Sequence, residues 1–232
     1  MRTTAIVVAA GEGRRIGQNV SKTYLPIGGR PLILRTLDRV FSAPAISDVV
    51  LVIAGADLQH CEALLRGDSA LSHRAWTLQS GGASRQQSVQ RGLERVPAGT
   101  DIVVIHDGAR PFVSAALLDR CIFAAVEKGA AVAGLPARDT IKSVTPDGWI
   151  KSTPERKTLW EIQTPQAFRR DLIVAAHDQA RRQGIEATDD AMVVELIGRP
   201  VFVVAGERLN FKITVPEDIW LAELLVASER SV

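Results

Sequence analysis

The residues best equipped for chemistry are cations set among glycines. Between Ala9 and Arg30 the chain reads AAGEGRRIGQNVSKTYLPIGGR, so that Gly11, Gly13 and Gly17 alternate with Arg14, Arg15 and Lys22. Glycine lets the backbone approach a ligand and turn successive N–H groups toward anionic oxygens, and basic side chains add charge-assisted hydrogen bonds. The chemistry indicated is the holding of phosphate. The letters match neither standard phosphate motif. A P-loop needs Lys-Ser or Lys-Thr directly after its last glycine, and the dinucleotide fingerprint is missed by one residue because its third glycine stands at 17. A plain strand-to-helix turn with solvated arginines stays open on these residues alone. Two further segments carry the same kind of groups: Ser80-Gly81-Gly82-Ala83-Ser84-Arg85 and His106-Asp107-Gly108-Ala109-Arg110-Pro111.

Strands must deliver these segments. The apolar run Ala5–Ala10 predicts a buried strand, as do Asp48–Ile53, Trp76–Gln79, Asp101–Ile105 and Ala130–Leu135. Helices are predicted between them: Pro31–Phe41 with its proline at the start, Asp57–Arg66 ended by Gly67, one opened by Ser84 with Gln87 as a capping box, and one from Ser114 to Lys128. Alternation of this kind gives a mostly parallel sheet with helices on both faces, which binds ligands beyond the carboxyl ends of its strands. Residues 10–22, 80–88 and 106–111 each follow a strand directly, so glycines, cations and an acid converge on one edge. His106, at a strand end, is expected to pack against the sheet rather than to act as acid or base.

The alternation breaks at residues 138–153. Thr140–Val144 and Trp149–Ser152 flank Thr145-Pro146-Asp147-Gly148, a turn in which Pro presets φ and Gly accepts positive φ, so a hairpin is expected. A two-stranded ribbon cannot bury Val144, Trp149 and Ile150 by itself. It should lie against its own domain or, through exchange of arms, against a second copy of the chain. Further on, Thr164-Pro165 bars a helix across Leu159–Phe168, Asp171–Gln183 is helical up to Gly184, and Thr188 is expected to cap a following helix. Val201–Val204 is the last strand, and Thr214 with Glu217 has capping-box spacing ahead of a closing helix.

The totals limit the alternatives. A chain of 232 residues with 46% hydrophobic and 23% charged residues suits one globular domain, and a net charge of +2 provides no global field for nucleic acid or an anionic membrane. No apolar run approaches the ~20 residues of a membrane span, and a cytoplasmic protein is expected. Cys61 and Cys121 lack C-x-x-C spacing and read as buried free thiols; the histidines lack zinc spacing.

Lined up in this way, the stretches AAGEGRRIG, SKTYLPIGGRPL, GGASRQQSVQRGL, HDGARP, ARDTIK, QTPQAF, TDDA and KITVPED resemble, in order and over nearly the whole length, the 2-C-methyl-D-erythritol 4-phosphate cytidylyltransferases of the non-mevalonate isoprenoid pathway. The resemblance implies a single domain over 1–232 with a Rossmann-like nucleotidyltransferase fold, a mostly parallel twisted sheet with helices on both faces and a protruding β-hairpin arm at 138–153. It implies transfer of CMP from CTP to a polyol phosphate with release of pyrophosphate. Arg15 and Lys22 would stabilise charge on the α-phosphate, with Arg156 and Lys212 completing the catalytic cations. Ala9, Ala10, Gly11, Gly13, Gly82, Arg85, Ser88 and Gly108 would hold CTP, although Arg85 could instead orient a loop. Asp107, with Thr164 and Thr188, would bind the polyol hydroxyls, while Arg110, Thr140, Arg156 and Lys212 would grip its phosphate. Mg²⁺ would be bridged by the CTP phosphates rather than by protein ligands, and a homodimer through the arm is implied; nucleic acid and membrane are not expected partners.

Some positions depart from the family pattern. Ser21 stands where proline usually precedes the lysine, Thr23 where glutamine follows it, Val8 in place of another proline, and Leu209 where an acid is common. The cations are untouched, so these changes bear on the alcohol more than on the reaction. A ribitol-phosphate cytidylyltransferase shares the fold and many motifs. A nucleotide-binding protein without chemistry is the reading from another class, and the joint presence of Arg15, Lys22, Asp107 and Lys212 speaks against it.

Overall fold

The computed structural model describes residues 1–11 and 21–229. In chain order the elements are β1 (Thr3–Ala9), a 3₁₀ turn at Lys22–Tyr24, β2 (Pro26–Ile27), β3 (Arg30–Pro31), α1 (Leu32–Phe41), β4 (Ile46–Ile53), α2 (Leu58–Gly67), β5 (Trp76–Ser80), α3 (Arg85–Leu93), β6 (Ile102–Asp107) and α4 (Ala115–Lys128). They continue with β7 (Ala130–Pro136), β8 (Ser143–Val144), β9 (Ile150–Ser152), β10 (Trp160–Arg169), α5 (Arg170–Gln183), α6 (Asp190–Leu196), β11 (Phe202–Ala205) and α7 (Pro216–Glu229).

The main sheet has seven strands in the order β11-β7-β10-β6-β1-β4-β5. All its pairings are parallel except those of β10, which runs antiparallel to both β6 and β7. Helices cover both faces because the strand residues are apolar on both faces. Ala5 and Val7 of β1, with Leu51 and Ile53 of β4, pack under α1, α2 and α4; Ile6, with Val50, Val52 and Ile105, packs under α3, α5 and α6. Each Ile or Leu that is fully buried here contributes about 1.5–3 kcal/mol. Closing helix α7 lies off the sheet, with Ala222 and Val226 against Ile27 and Leu32.

The segment around Pro165 is where the sequence reading stops short. Thr164-Pro165 does exclude a helix, and the residues instead form the antiparallel strand β10, with a cis Thr164–Pro165 bond. Its pairing with β7 is irregular between Ile162 and Gln166, so Pro165, which has no N–H, falls where the ladder is interrupted.

Two cap assignments differ from those the spacing suggests, and a third is met in part. Helix α6 is capped by Asp189, which accepts from Met192 N at 2.9 Å, and not by the exposed Thr188. The reason lies in β10: Gln166 Oε1 accepts from both Asp190 N and Ala191 N at 3.1 Å and so fixes the helix start. At α7, Pro216 takes the first helical position, and Asp218 rather than Glu217 accepts from Thr214 N, Thr214 Oγ1 and Val215 N. At α3, Ser84 Oγ accepts from Gln87 N as expected, but Gln87 Oε1 reaches Ala83 N instead of Ser84 N.

The hairpin β8–β9 forms around Thr145–Gly148, with Gly148 at φ +91°. In the single chain, Val144, Trp149 and Ile150 are 58%, 73% and 64% exposed. Both cysteines are buried and free. Among the described residues no helix is long and apolar enough to cross a membrane.

Candidate functional site

A cavity of about 610 Å³ opens at the carboxyl ends of β1, β4, β5 and β6. It brings together Ala9, Ala10 and Gly11 after β1, Gly82, Arg85 and Ser88 after β5, Asp107 and Gly108 after β6, and Lys22 and Lys212 from two other segments. Arg110 and Thr164 lie immediately behind Asp107, bonded to it as described below. Thr140, Arg156 and Thr188 do not line the cavity and are exposed, with Arg156 donating to Arg138 O at 2.9 Å. Gly13 and Arg15, with Arg14 and Gly17, lie outside the described residues.

Small residues set the floor. Gly81 packs so tightly on the first loop that a Cβ there would come within 2.2 Å of Ala10 Cβ, and one on Gly108 within 2.8 Å of Ala9 Cβ. Gly108 N also donates to Val8 O at 2.8 Å, tying the loop after β6 to the end of β1. Ser88, buried in the first half of α3, accepts from Gly82 N at 3.0 Å and donates to Ser84 O at 2.9 Å. Its hydroxyl therefore shapes the Gly82 loop.

The charge is concentrated around one acid. Asp107 Oδ2 meets Lys212 Nζ at 2.8 Å and Arg110 Nε at 3.7 Å, and Oδ1 meets Arg85 Nε at 3.2 Å. Burial acts to raise its pKa, but Arg85 and Lys212, with Arg110, outweigh burial and hold the carboxyl well below the usual carboxylate range. Lys22 Nζ donates to the carbonyl of Ile213, next to Lys212, so the two lysines flank one short segment.

Behind Asp107 the hydrogen bonds fix their own directions. The Arg110 carbonyl can only accept, so His106 Nε2, 3.1 Å away, carries the proton and Nδ1 is an acceptor. Thr164 Oγ1 then donates to Nδ1 at 3.1 Å and accepts from Asp107 N at 3.0 Å. Burial pushes His106 down to about 4, which keeps it neutral in this chain of bonds. The Thr164 proton is thus committed to His106, and the hydroxyl faces Asp107 as a backbone anchor.

Polar residues next to Pro165 position the remaining segments. Gln163 Oε1 accepts from Asn210 Nδ2 and Glu207 N, its Nε2 donates to Glu207 O at 3.0 Å, and Asn210 Nδ2 also reaches Thr164 O at 2.7 Å. These bonds fasten the loop that carries Lys212 to β10. Gln166 does the same for α6, whose Asp190 Oδ2 forms an ion pair with Arg85 Nη1 at 2.8 Å. Gln163, Gln166, Asp190 and Asn210 were not among the residues singled out by type. The available signal was two glutamines flanking a Thr-Pro pair, which composition alone does not distinguish from a polar loop.

No group among the described cavity residues is poised to remove a proton near neutral pH. Asp107 is held ionised by cations and His106 is buried and neutral, an arrangement that suits a nucleophile already ionised on arrival. The arrangement can bind polyanions through its lysines and backbone amides, and can accept hydrogen bonds from hydroxyl groups at Asp107.

Residues 3–228 match the family model for 2-C-methyl-D-erythritol 4-phosphate cytidylyltransferase. The enzyme of that name from Desulforamulus reducens is 42% identical over 220 residues, covering 94% of this chain and 93% of its own. The one from Geobacter metallireducens is 43% identical over 230 residues, covering 97% and 98%. Among solved structures, 4-diphosphocytidyl-2C-methyl-D-erythritol synthase from Anaerococcus prevotii superposes with a TM-score of 0.85 at 32% identity, over 97% of this chain and 98% of that one. The cytidylyltransferase from Thermus thermophilus gives a TM-score of 0.79 at 36% identity, over 98% and 100%.

Proposed function

Because the chain belongs to the 2-C-methyl-D-erythritol 4-phosphate cytidylyltransferase family, we propose how its residues divide the work of that reaction. The enzyme condenses CTP with 2-C-methyl-D-erythritol 4-phosphate, giving 4-diphosphocytidyl-2-C-methyl-D-erythritol and pyrophosphate, in isoprenoid precursor biosynthesis. An oxygen of the polyol phosphate attacks the α-phosphorus of CTP, a new P–O bond forms, and the bond to the β-phosphate oxygen breaks with its electron pair leaving on pyrophosphate.

The observation that carries the assignment of roles is the single cavity in which Lys22, Lys212 and Asp107 meet the glycine loops of β1 and β5. Ala9, Ala10 and Gly11, with Gly82 and Gly108, hold CTP, Gly13 is assigned to the same role, and Ser88 fixes the Gly82 loop. Arg15 and Lys22 offset charge on the α-phosphate as it becomes pentavalent, which is how preorganised cations lower such a barrier. Arg85 acts beside the nucleotide through its ion pairs rather than as a direct clamp. Asp107 accepts hydrogen bonds from the polyol hydroxyls, with Thr164 holding its backbone, Thr188 is assigned to the same hydroxyls from outside the cavity, and Lys212 and Arg110 take the polyol phosphate. The attacking phosphate oxygen is ionised near pH 7, in keeping with a cavity that has no general base among its described residues.

Thr140 and Arg156 lie outside this cavity beside a hairpin whose apolar residues have no cover in one chain. Exchange of arms in a homodimer would cover those residues and bring Thr140 and Arg156 to the partner's polyol phosphate. Asp107 is the sole carboxylate among the described cavity-lining residues and already meets three cations, so Mg²⁺ would be held by the CTP phosphates rather than by that carboxylate and would supply neutralisation of phosphate charge.

The test is pyrophosphate release with CTP and either 2-C-methyl-D-erythritol 4-phosphate or ribitol 5-phosphate, run in parallel. Faster turnover with the methylerythritol phosphate is expected; faster turnover with ribitol 5-phosphate would overturn the assignment of the alcohol.

A further inference from the structure

Arg85 does not form a two-pronged bond with one acid. Its guanidinium is divided, with Nη1 2.8 Å from Asp190 Oδ2 and Nε 3.2 Å from Asp107 Oδ1. The shorter contact goes to the more deeply buried partner. Asp190 is 1% exposed, stands at the start of α6, and has its other oxygen on His177 Nε2 at 3.2 Å. Its own backbone is pinned by Gln166 from β10, so it is a fixed anchor rather than a mobile counter-ion.

We propose that Asp190 is a positioning residue for polyol binding: by drawing Arg85 to itself, it keeps the guanidinium from closing as a fork over Asp107 and leaves Asp107 Oδ1 able to accept a substrate hydroxyl. A guanidinium and a carboxylate pair best through two parallel N–H···O bonds. Among the described residues Asp107 is the one other carboxylate that Arg85 contacts, so with the charge of Asp190 removed it is the ion-pair partner left to the guanidinium. Asp107 Oδ2 already meets Lys212 and Arg110, so a guanidinium drawn fully onto Asp107 and spanning both oxygens would leave the acid fully occupied. The helix of Asp190 thus controls the affinity of an acid that belongs to another strand end.

The inference rests on Asp107 taking polyol hydroxyls, and the experiment separates the two. Steady-state kinetics are measured for wild type, Asp107→Asn, Asp190→Asn, Arg85→Gln and the double variant Arg85→Gln/Asp190→Asn, varying CTP and the polyol phosphate in turn. Asp190→Asn should raise KM for the polyol phosphate about tenfold or more, the scale of one charge-assisted hydrogen bond, with KM for CTP and kcat within about twofold. In the Arg85→Gln background the same substitution should change little, because its effect runs through Arg85. An undiminished effect in that background, or equal losses for both substrates and kcat, would assign Asp190 a merely structural role and overturn the proposal. Should Asp190→Asn alone fail to fold, the double variant, in which both charges are gone, decides: a folded enzyme with the polyol KM of Arg85→Gln supports the proposal, and an unfolded one overturns it. An unchanged polyol KM in Asp107→Asn would remove the reading on which the inference rests. A loss there with no effect of Asp190→Asn overturns the inference alone.

Discussion

Acidification should destabilise this protein through a single imidazole. His106 is fully buried, and burial pushes its pKa down to about 4, with Arg110 and Lys212 adding to that effect against the opposing pull of Asp107 and of the Arg110 carbonyl. In the unfolded chain an imidazole titrates near 6.5. Between those two values the unfolded chain binds a proton that the folded one does not, so stability falls as pH drops through this window and is regained as it rises. At about 1.4 kcal/mol for each pH unit, the full difference amounts to about 3 kcal/mol. For a chain of this length that corresponds to a melting point lower by roughly 6–12 °C. Asp107 and Asp190 do not blur the result, because their depressed values place their contribution above the ordinary carboxylate pKa and remove it only in stronger acid. The comparison is with His106→Asn, whose amide oxygen can still accept from Thr164 and which does not titrate. Urea unfolding at steps from pH 7 to 4.5 should show the stability advantage of wild type over the variant shrinking by about 2 kcal/mol or more. Parallel curves for the two proteins would refute the argument that His106 is held neutral.

Three further outcomes are expected. Lys22→Ala should lower turnover by about a hundredfold or more while CTP still binds, the cost of one preorganised cation in the transition state; unchanged single-turnover rates would remove Lys22 from the chemistry. Gln166→Ala should cost about 2–4 kcal/mol in urea unfolding, since it strands the buried N–H groups of Asp190 and Ala191, and a loss under about 0.5 kcal/mol would contradict that assignment. A protein lacking residues 141–151 should sediment as a monomer if the hairpin joins two chains, whereas a stable dimer would show that the contact lies elsewhere.

The parallel layers and the three loops at their carboxyl ends were legible because they depend on local signals. Apolar runs such as Ala5–Ala10 declare buried strands, and glycines directly after them declare a loop close to a ligand. What could not be read was whatever depends on a distant partner. Residues 159–168 are neither alternating nor uniformly apolar, and they form a strand by pairing antiparallel with β6 on one side and β7 on the other, partners distant in the chain. Cap spacing at Thr188 and Thr214 matched a pattern, yet Gln166 from another element and Pro216 at the first position moved each cap by a residue. Likewise Asp107 was identifiable as a site acid from its neighbours in HDGARP, whereas its tie through Arg85 to Asp190 joins residues that no spacing rule connects.

The reversed strand has one more consequence. Since β6 and β7 share no hydrogen bonds, the sheet consists of a four-stranded portion ending in β6 and a two-stranded portion of β7 and β11, joined along the ladder by β10 alone. Asp107 belongs to the first portion, while Lys212 follows β11 on the second and is fastened to β10 through Gln163 and Asn210. The 2.8 Å contact between acid and lysine is therefore set from two sides, through β10 and through direct bonds between the two segments, Ile213 N to Ala109 O at 2.9 Å and Arg110 Nη1 to Asn210 O at 2.8 Å. A shift of β10 by one residue would move Gln163 and Gln166 together, and so would displace the anchors of the Lys212 segment and of α6 at once.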